Sequence, residues 1–369
     1  MNNELEATYQ SLQKAETSED IFGLLSGLDK ETQKERVNAI YRQLAKILHP
    51  DRYPHNSTDH KMAADAFPML SAFYERAKTR IDKEIYGSNA PDEEEEEIDF
   101  IIKTRQREYH LRSTLAEGDL SIVYKGDFTS ETGEAVPIVA KVIDDPADND
   151  LAQNEIKVLK LLVGQPNRYS KYLPTFYDQF KTTDGQFGLI LGYLADCYDL
   201  YSVREKYKDG VAEKHMVWIL NRLLTVLGYA HSKGIVHGNI EPAHLMIRPK
   251  DHNLFLIDWS YAAVNPFQTG DKFKVFNEDY SAPEVAERKK PIPASDLYSV
   301  GKCMIFLLGG DVKTNTIPSH INEKLQRLIK YFTLPSPLQR AQDAWQMHEQ
   351  LDKLVVELWG PKKFLKFEM

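Results

Sequence analysis

The sequence predicts an α+β protein in two parts: an N-terminal helical domain, then a two-lobed unit with a small β-rich lobe and a large α-rich lobe. Three observations predict this. Before residue 87 apolar residues recur at helical spacing. From Gly87 to Asp99 the run GSNAPDEEEEEID is turn-rich, then acidic, and repels itself with nothing to bury. Beyond it the apolar period shortens to that of strands, and from Lys214 onward it lengthens again.

Each element has its own signal. Ser18, Glu19 and Asp20 can start a helix over IFGLLSGL. From Thr32 to Leu48, the residues Val37, Ile40, Tyr41, Leu44, Ile47 and Leu48 line one side of a second helix. A polar loop spans His49 to His60. From Met62 to Ile85, Phe67, Leu70, Phe73, Tyr74, Ala77 and Ile81 line a third helix, with Pro68 as a local irregularity. The two long helices are expected to run antiparallel. After the acidic run, YHLRSTL, SIVYKGDF and VPIVAKVI read as strands, NEIKVLKLL as a helix, and LPTFYDQF and FGLILGYL as further strands. The predicted divisions are an N-terminal extension (1–17), a helical domain (18–86), an acidic linker (87–107), the two-lobed unit (108–355) and a tail (356–369). The tail, WGPKKFLKFEM, reads either as a docking segment or as a strap packing Phe364, Leu365 and Phe367 on the large lobe.

Composition narrows the function classes. With 42% hydrophobic and 27% charged residues in 369, the chain can bury proper cores and matches neither a disordered nor a membrane protein. A net charge of -9 argues against binding to nucleic acid or an anionic membrane surface. No apolar run approaches the ~18–20 residues that span a bilayer, and MNNELEATYQ lacks a secretion pattern. Cys197 and Cys303 are too few and too far apart for a zinc site or a disulfide framework. A cytoplasmic protein with two buried thiols is expected.

Two stretches carry chemistry. In YRQLAKILHPDRYP, His49, Pro50 and Asp51 follow a helix whose exposed face carries Arg42 and Lys46, with Arg52 beside them. Pro fixes the loop backbone, and the basic helix offers a face to an acidic partner. The same tripeptide also serves simply to end a helix, since Pro and Asp are ordinary there. Residues 18–86 resemble the J-domain family of co-chaperones. The resemblance implies docking to a DnaK-type heat-shock chaperone through His49, Pro50, Asp51, Arg42, Lys46 and Arg52, and stimulation of its ATP hydrolysis.

The second stretch runs from LAEGDLSIVYKG through PIVAK, FGLILGYLAD, HGNIEPAHLMI and LFLIDWS to SAPEV and SPLQRAQD. Its motifs, in this order, resemble those of the protein kinases over residues 108–355. In that likeness Gly118 is the one glycine kept in the loop over the phosphates, with Ala116 and Ser121 replacing its neighbours, and Val123 packs over adenine. Lys141 and Glu155 match the ion pair that sets a lysine on the phosphates. Leu191 is the gatekeeper, and the backbone from Gly192 through Tyr193 to Leu194 faces the adenine edge. Asp258 matches the metal-binding aspartate, with Trp259 and Ser260 after it. Glu284 with Arg340, and Asp296, match residues that hold the large lobe together.

The catalytic loop departs from the family pattern. Asn239 replaces the aspartate that accepts the substrate's hydroxyl proton, and an amide has no useful basicity. Glu241 replaces a lysine, placing negative charge where the transition state already carries it. His244 replaces a metal-binding asparagine and is the second candidate metal ligand. Gly238 replaces the arginine that reads an activation-segment phosphate. The reading that follows is a J-domain co-chaperone or adaptor that recruits a DnaK-type chaperone to an unknown protein client. Its degenerate kinase-like domain would serve as a nucleotide-binding or client-recognition scaffold. The alternative is an atypical serine/threonine protein kinase that uses ATP with Mg2+ or Mn2+ and transfers phosphoryl groups weakly.

Overall fold

The computed structural model describes residues 3–15, 17–25, 27–48, 52–53, 57–82, 86–87, 100–118, 120–164, 167–361 and 363–369. The chain divides into two compact units, Met1–Glu95 and Glu96–Met369.

The first unit comprises α1 (Asn3–Lys14), α2 (Ser18–Phe22), α3 (Lys30–Leu48) and α4 (Thr58–Asp82). Thr17 Oγ1 accepts the Asp20 N–H at 3.3 Å while Asp20 Oδ2 accepts the Thr17 N–H at 2.9 Å, a reciprocal cap that starts α2. Helices α3 and α4 pack along one another, with Tyr41 stacked on Tyr74 at 4.0 Å between ring centroids. Pro68 is accommodated inside α4, which continues past it. Buried Arg80 pairs with Glu19 at 2.9 Å and fastens α4 to α2.

One expectation changes here. Residues 1–17, read as an extension, carry α1, whose Leu5 and Leu12 are fully buried in the same core as Phe22, Val37, Leu70 and Ile81. Leucines seven apart lie on one helical face, so even a sparse apolar pattern is enough to dock the helix. His49, Pro50 and Asp51 lie outside the described residues, as do residues 83–85. Arg42, Lys46 and Arg52 are exposed, and Arg52 donates to the Lys46 carbonyl.

The second unit opens with β1 (Phe100–Lys103), β2 (Glu108–Glu117), β3 (Ser121–Thr129), β4 (Ala135–Ile143), α5 (Asn149–Val163), β5 (Phe176–Lys181) and β6 (Phe187–Gly192). The strands form an antiparallel sheet in the order β1-β2-β3-β4-β6-β5, and α5 packs against β4, β5 and β6. Residues 100–103, expected within the linker, are its edge strand, pairing Phe100 with Leu111 and Lys103 with Glu108.

The large lobe follows with α6 (Leu200–Lys206), α7 (Glu213–Ser232), β7 (Ile235–Val236), β8 (Leu245–Arg248), β9 (Asn253–Leu256), β10 (Ala263–Val264), α8 (Pro266–Thr269), α9 (Pro283–Ala286), α10 (Pro293–Leu307), α11 (Glu323–Phe332) and α12 (Ala344–Trp359). Helices α7 and α10 are buried on nearly every side, which explains their almost continuous apolar runs. Cys303 is buried among them, whereas Cys197 is only partly buried, with its thiol pushed up to about 11 by that burial. The tail packs its aromatics on this lobe: Phe367 is buried against Tyr207 at 5.2 Å and His215 at 4.6 Å, and His252 is sandwiched between Trp218 and Phe364. Among the described residues no helix is long and apolar enough to cross a membrane.

Candidate functional site

The β-lobe side of the site is set by strand register. Val123 on β3 faces Lys141 on β4, and β4 pairs with β6 so that Val139 faces Leu191. Gly118 donates its N–H to the Ser121 carbonyl at 2.9 Å, closing the turn between β2 and β3. A side chain there would meet only ordinary contacts, so packing alone does not demand glycine. Beyond β6, Gly192 donates its N–H to Thr175 at 2.8 Å and Tyr193 to Pro137 at 3.2 Å. Two of the three backbone positions expected to face an adenine edge therefore spend their donors inside the protein, and Leu194 follows them.

Lys141 is the centre of the arrangement. Its ammonium donates to Glu155 Oε2 at 2.8 Å, to Asp258 Oδ1 at 2.7 Å and to Ser260 Oγ at 3.0 Å. Glu155, on α5, is almost fully buried, and its other oxygen accepts the Trp259 N–H at 3.2 Å. Asp258 follows β9 at φ +57, a left-handed conformation that aspartate tolerates better than most residues. Trp259 behind it is wholly buried and donates Nε1–H to the Leu256 carbonyl at 3.0 Å.

These contacts set the electrostatics. Burial works to lower the Lys141 pKa, but the carboxylates of Glu155 and Asp258 outweigh it and hold the ammonium charged. Burial likewise works to raise Asp258, and Lys141 and then His244 reverse that, holding its carboxyl well below the usual range.

The loop between β7 and β8 supplies the facing wall. Asp296 on α10 accepts the N–H groups of His237 and Gly238, each at 2.8 Å, and lies 2.9 Å from His231 Nε2. Gly238 has φ +75, which suits glycine better than the arginine it replaces. The network assigns the proton of buried His237 to Nε2, which donates to Ile257 at 3.0 Å while Nδ1 accepts the Asn239 N–H at 3.3 Å. Burial is the main cause pushing His237 down to about 4. His244 Nδ1 donates to the Asn239 carbonyl at 2.7 Å, leaving Nε2 at 3.2 Å from Asp258 Oδ2 and 3.6 Å from Glu241 Oε1. Glu241 in turn accepts from the Asn277 side-chain amide.

Lys141, Glu155, Asp258, His244 and the Asn239 backbone are thus brought together, with Val123 and Leu191 on the strands beside them. Glu284 and Arg340 form a buried pair in the large lobe, and Arg340 also donates to the Ala294 carbonyl at 2.9 Å. Sequence reasoning overlooked Ser260, noted only as a residue after Asp258, and Asn277, whose partner lies in another loop.

The protein kinase domain family matches residues 109–363 of this chain. Serine/threonine-protein kinase F of Synechocystis sp. (strain ATCC 27184 / PCC 6803 / Kazusa) is 24% identical over 190 residues, covering 46% of this chain and 37% of that protein. An SNF-related serine/threonine-protein kinase of Homo sapiens is 27% identical over 256 residues, covering 63% of this chain and 32% of that protein. Serine/threonine-protein kinase PknA of Nostoc sp. (strain PCC 7120 / SAG 25.82 / UTEX 2576) is 27% identical over 211 residues, 55% of this chain and 37% of that protein. The chain therefore spans only about a third of the length of these relatives.

These findings overturn the expectation of a J-domain co-chaperone whose kinase-like part is a scaffold. The relatives are serine/threonine kinases by name, the family match begins after the helical unit, and no J-domain family matches there. The motif behind that expectation has a plain alternative, because Pro and Asp after a helix also simply end it. The chain belongs to the protein kinase family.

Proposed function

We propose that the chain is an atypical serine/threonine protein kinase that binds ATP with a divalent ion and transfers its terminal phosphoryl group slowly. The observation that carries this reading is Lys141 joined to both Glu155 and Asp258 within 2.8 Å, an arrangement that fixes one ammonium between two carboxylates. Lys141 takes the phosphates and Glu155 orients it. Gly118, Val123, Leu191, Tyr193 and Leu194 surround the nucleotide, with Leu194 meeting the base edge.

The residues fit a divalent ion. His244 Nδ1 is committed to the Asn239 carbonyl and Nε2 lies 3.2 Å from Asp258 Oδ2, so an ion placed between them would take the Nε2 lone pair in place of that contact. One oxygen and one imidazole nitrogen form a donor set that suits Mn2+ better than Mg2+. Among the described residues no three His, Cys, Asp or Glu are arranged to hold a metal alone, so nucleotide phosphates would complete the ligand set. When bound, the ion supplies charge neutralisation at the transferring phosphoryl group.

Slow turnover follows from the facing wall. Losing a general base costs about 10²–10⁴-fold, and a loose transition state needs little deprotonation of the attacking hydroxyl before its oxygen bonds to phosphorus. Glu241 opposes the charge on the transferring group and lowers the rate further.

The test is calorimetry with ATP and Mg2+, Mn2+ or neither, followed by label transfer to a protein substrate. Binding lost in Lys141→Met, and transfer lost in both Lys141→Met and Asp258→Asn, supports the reading. Transfer that survives both substitutions indicates a contaminating kinase and overturns it.

A further inference from the structure

Ser260 sits where Lys141, Glu155 and Asp258 meet. An ammonium has three N–H donors, and those of Lys141 are all engaged: by Glu155 at 2.8 Å, Asp258 at 2.7 Å and Ser260 Oγ at 3.0 Å. The hydroxyl is also 2.9 Å from Glu155 Oε2 and 2.7 Å from Asp258 Oδ1. Having one proton, it donates to one carboxylate at a time while accepting from the ammonium.

The placement is built from behind. Asn154, the α5 residue before Glu155, gives its side-chain amide to the carbonyls of Ser260 at 2.9 Å and Ala262 at 2.8 Å. Ser260 itself is 5% exposed, so water does not readily substitute for its hydroxyl. The segment after Asp258 and helix α5 are therefore tied together at side chain and backbone.

We infer that Ser260 is a positioning residue that keeps Lys141 and Glu155 aligned for nucleotide phosphates. The inference rests on the nucleotide reading above. With a divalent ion bound, Asp258 would turn to it and leave one position on the ammonium free for a phosphate oxygen. Two donors then stay with Glu155 and Ser260, and the serine proton goes to Glu155 Oε2. Without the hydroxyl a single carboxylate must define the direction of a flexible four-carbon side chain. A hydroxyl does this without adding the negative charge that a further carboxylate would turn on the phosphates. It also supplies locally a restraint that Gly238 cannot provide through an activation-segment phosphate.

The experiment compares ATP and adenosine binding by calorimetry, with Mn2+, in the full chain and in Ser260→Ala, Ser260→Gly and Ser260→Thr. Ser260→Ala and Ser260→Gly are expected to weaken ATP by about ten- to a hundredfold, the value of one hydrogen bond to a charged group. Adenosine affinity should be unchanged, and Ser260→Thr should restore ATP. Equal losses for both ligands, or no loss, overturn the inference. If the unmodified chain binds neither ligand, the nucleotide reading fails by itself. Hydrogen exchange of the ligand-free protein then decides the positioning claim: faster exchange along α5 in Ser260→Gly but not Ser260→Thr sustains it, and equal rates overturn it.

Discussion

Asn277 donates its side-chain amide to the Glu241 carboxylate, joining the segment before α9 to the loop that carries Asn239. The same carboxylate lies 3.6 Å from His244 Nε2. Glu241 is therefore held in the site rather than free to swing into solvent, and its charge bears on any group transferred there.

Restoring the lost groups should raise the rate. Asn239→Asp returns a carboxylate to the base position and is expected to increase label transfer by about 10²-fold or more. Adding Glu241→Lys should raise it again. Initial rates of transfer to a generic serine/threonine substrate check this, and an unchanged rate in Asn239→Asp would mean that deprotonation does not limit the step.

Lys141→Met should also destabilise the ligand-free protein. It leaves Glu155, 1% exposed at its side chain, and Asp258 without their shared cation. Breaking a buried pair in this way costs about 3 kcal/mol. Pairing it with Asp258→Asn removes one stranded charge, so the double variant should melt above Lys141→Met alone. Thermal unfolding of the set measures both effects.

Divalent ion preference should follow His244. The expected order is Mn2+ ahead of Mg2+ for support of ATP binding, and His244→Asn should reverse it by replacing the imidazole with a hard oxygen donor. Calorimetric titrations with each ion provide the comparison. The same order in both proteins would remove His244 from the ligand set.

Acid sensitivity should be marked between pH 6.5 and 4. His237 is depressed from 6.5 to about 4, so in this window the unfolded chain binds a proton that the native protein refuses. Stability from this group is full above 6.5 and falls as pH drops, by up to about 1.4 kcal/mol per unit. His215 and His252, also lowered mainly by burial, add to the slope. His237→Gln keeps both hydrogen-bonding roles without titrating, and denaturant unfolding across this range should show a shallower dependence for it.

The parts legible in the sequence were those with local signals. The apolar rows of α3 and α4 and the alternation in β3 and β4 declare themselves within a dozen residues, as do Lys141 on its apolar strand and Asp258 after LFLI. Helix α1 escaped because NELEATYQSLQK offers few apolar residues, and β1 because FIIK is short and adjoins an acidic run. His49, Pro50 and Asp51 lie outside the described residues, and their local pattern does not distinguish a docking loop from a helix stop. The contacts of Ser260 with Lys141 and Glu155, and of Asn277 with Glu241, join residues more than thirty apart, where composition and period carry no information.

The docking of Phe367 has a practical consequence for anyone shortening this protein. Ending expression at residue 355, where the sequence places the close of the two-lobed unit, removes the last turn of α12 and the wedge of Phe367. Tyr207, His215 and Trp218 then lose the ring that covers them, and His252 loses Phe364. The bared aromatic face is a ready adhesive between molecules, so the shortened chain should precipitate or elute as soluble aggregates while the 369-residue chain stays dispersed.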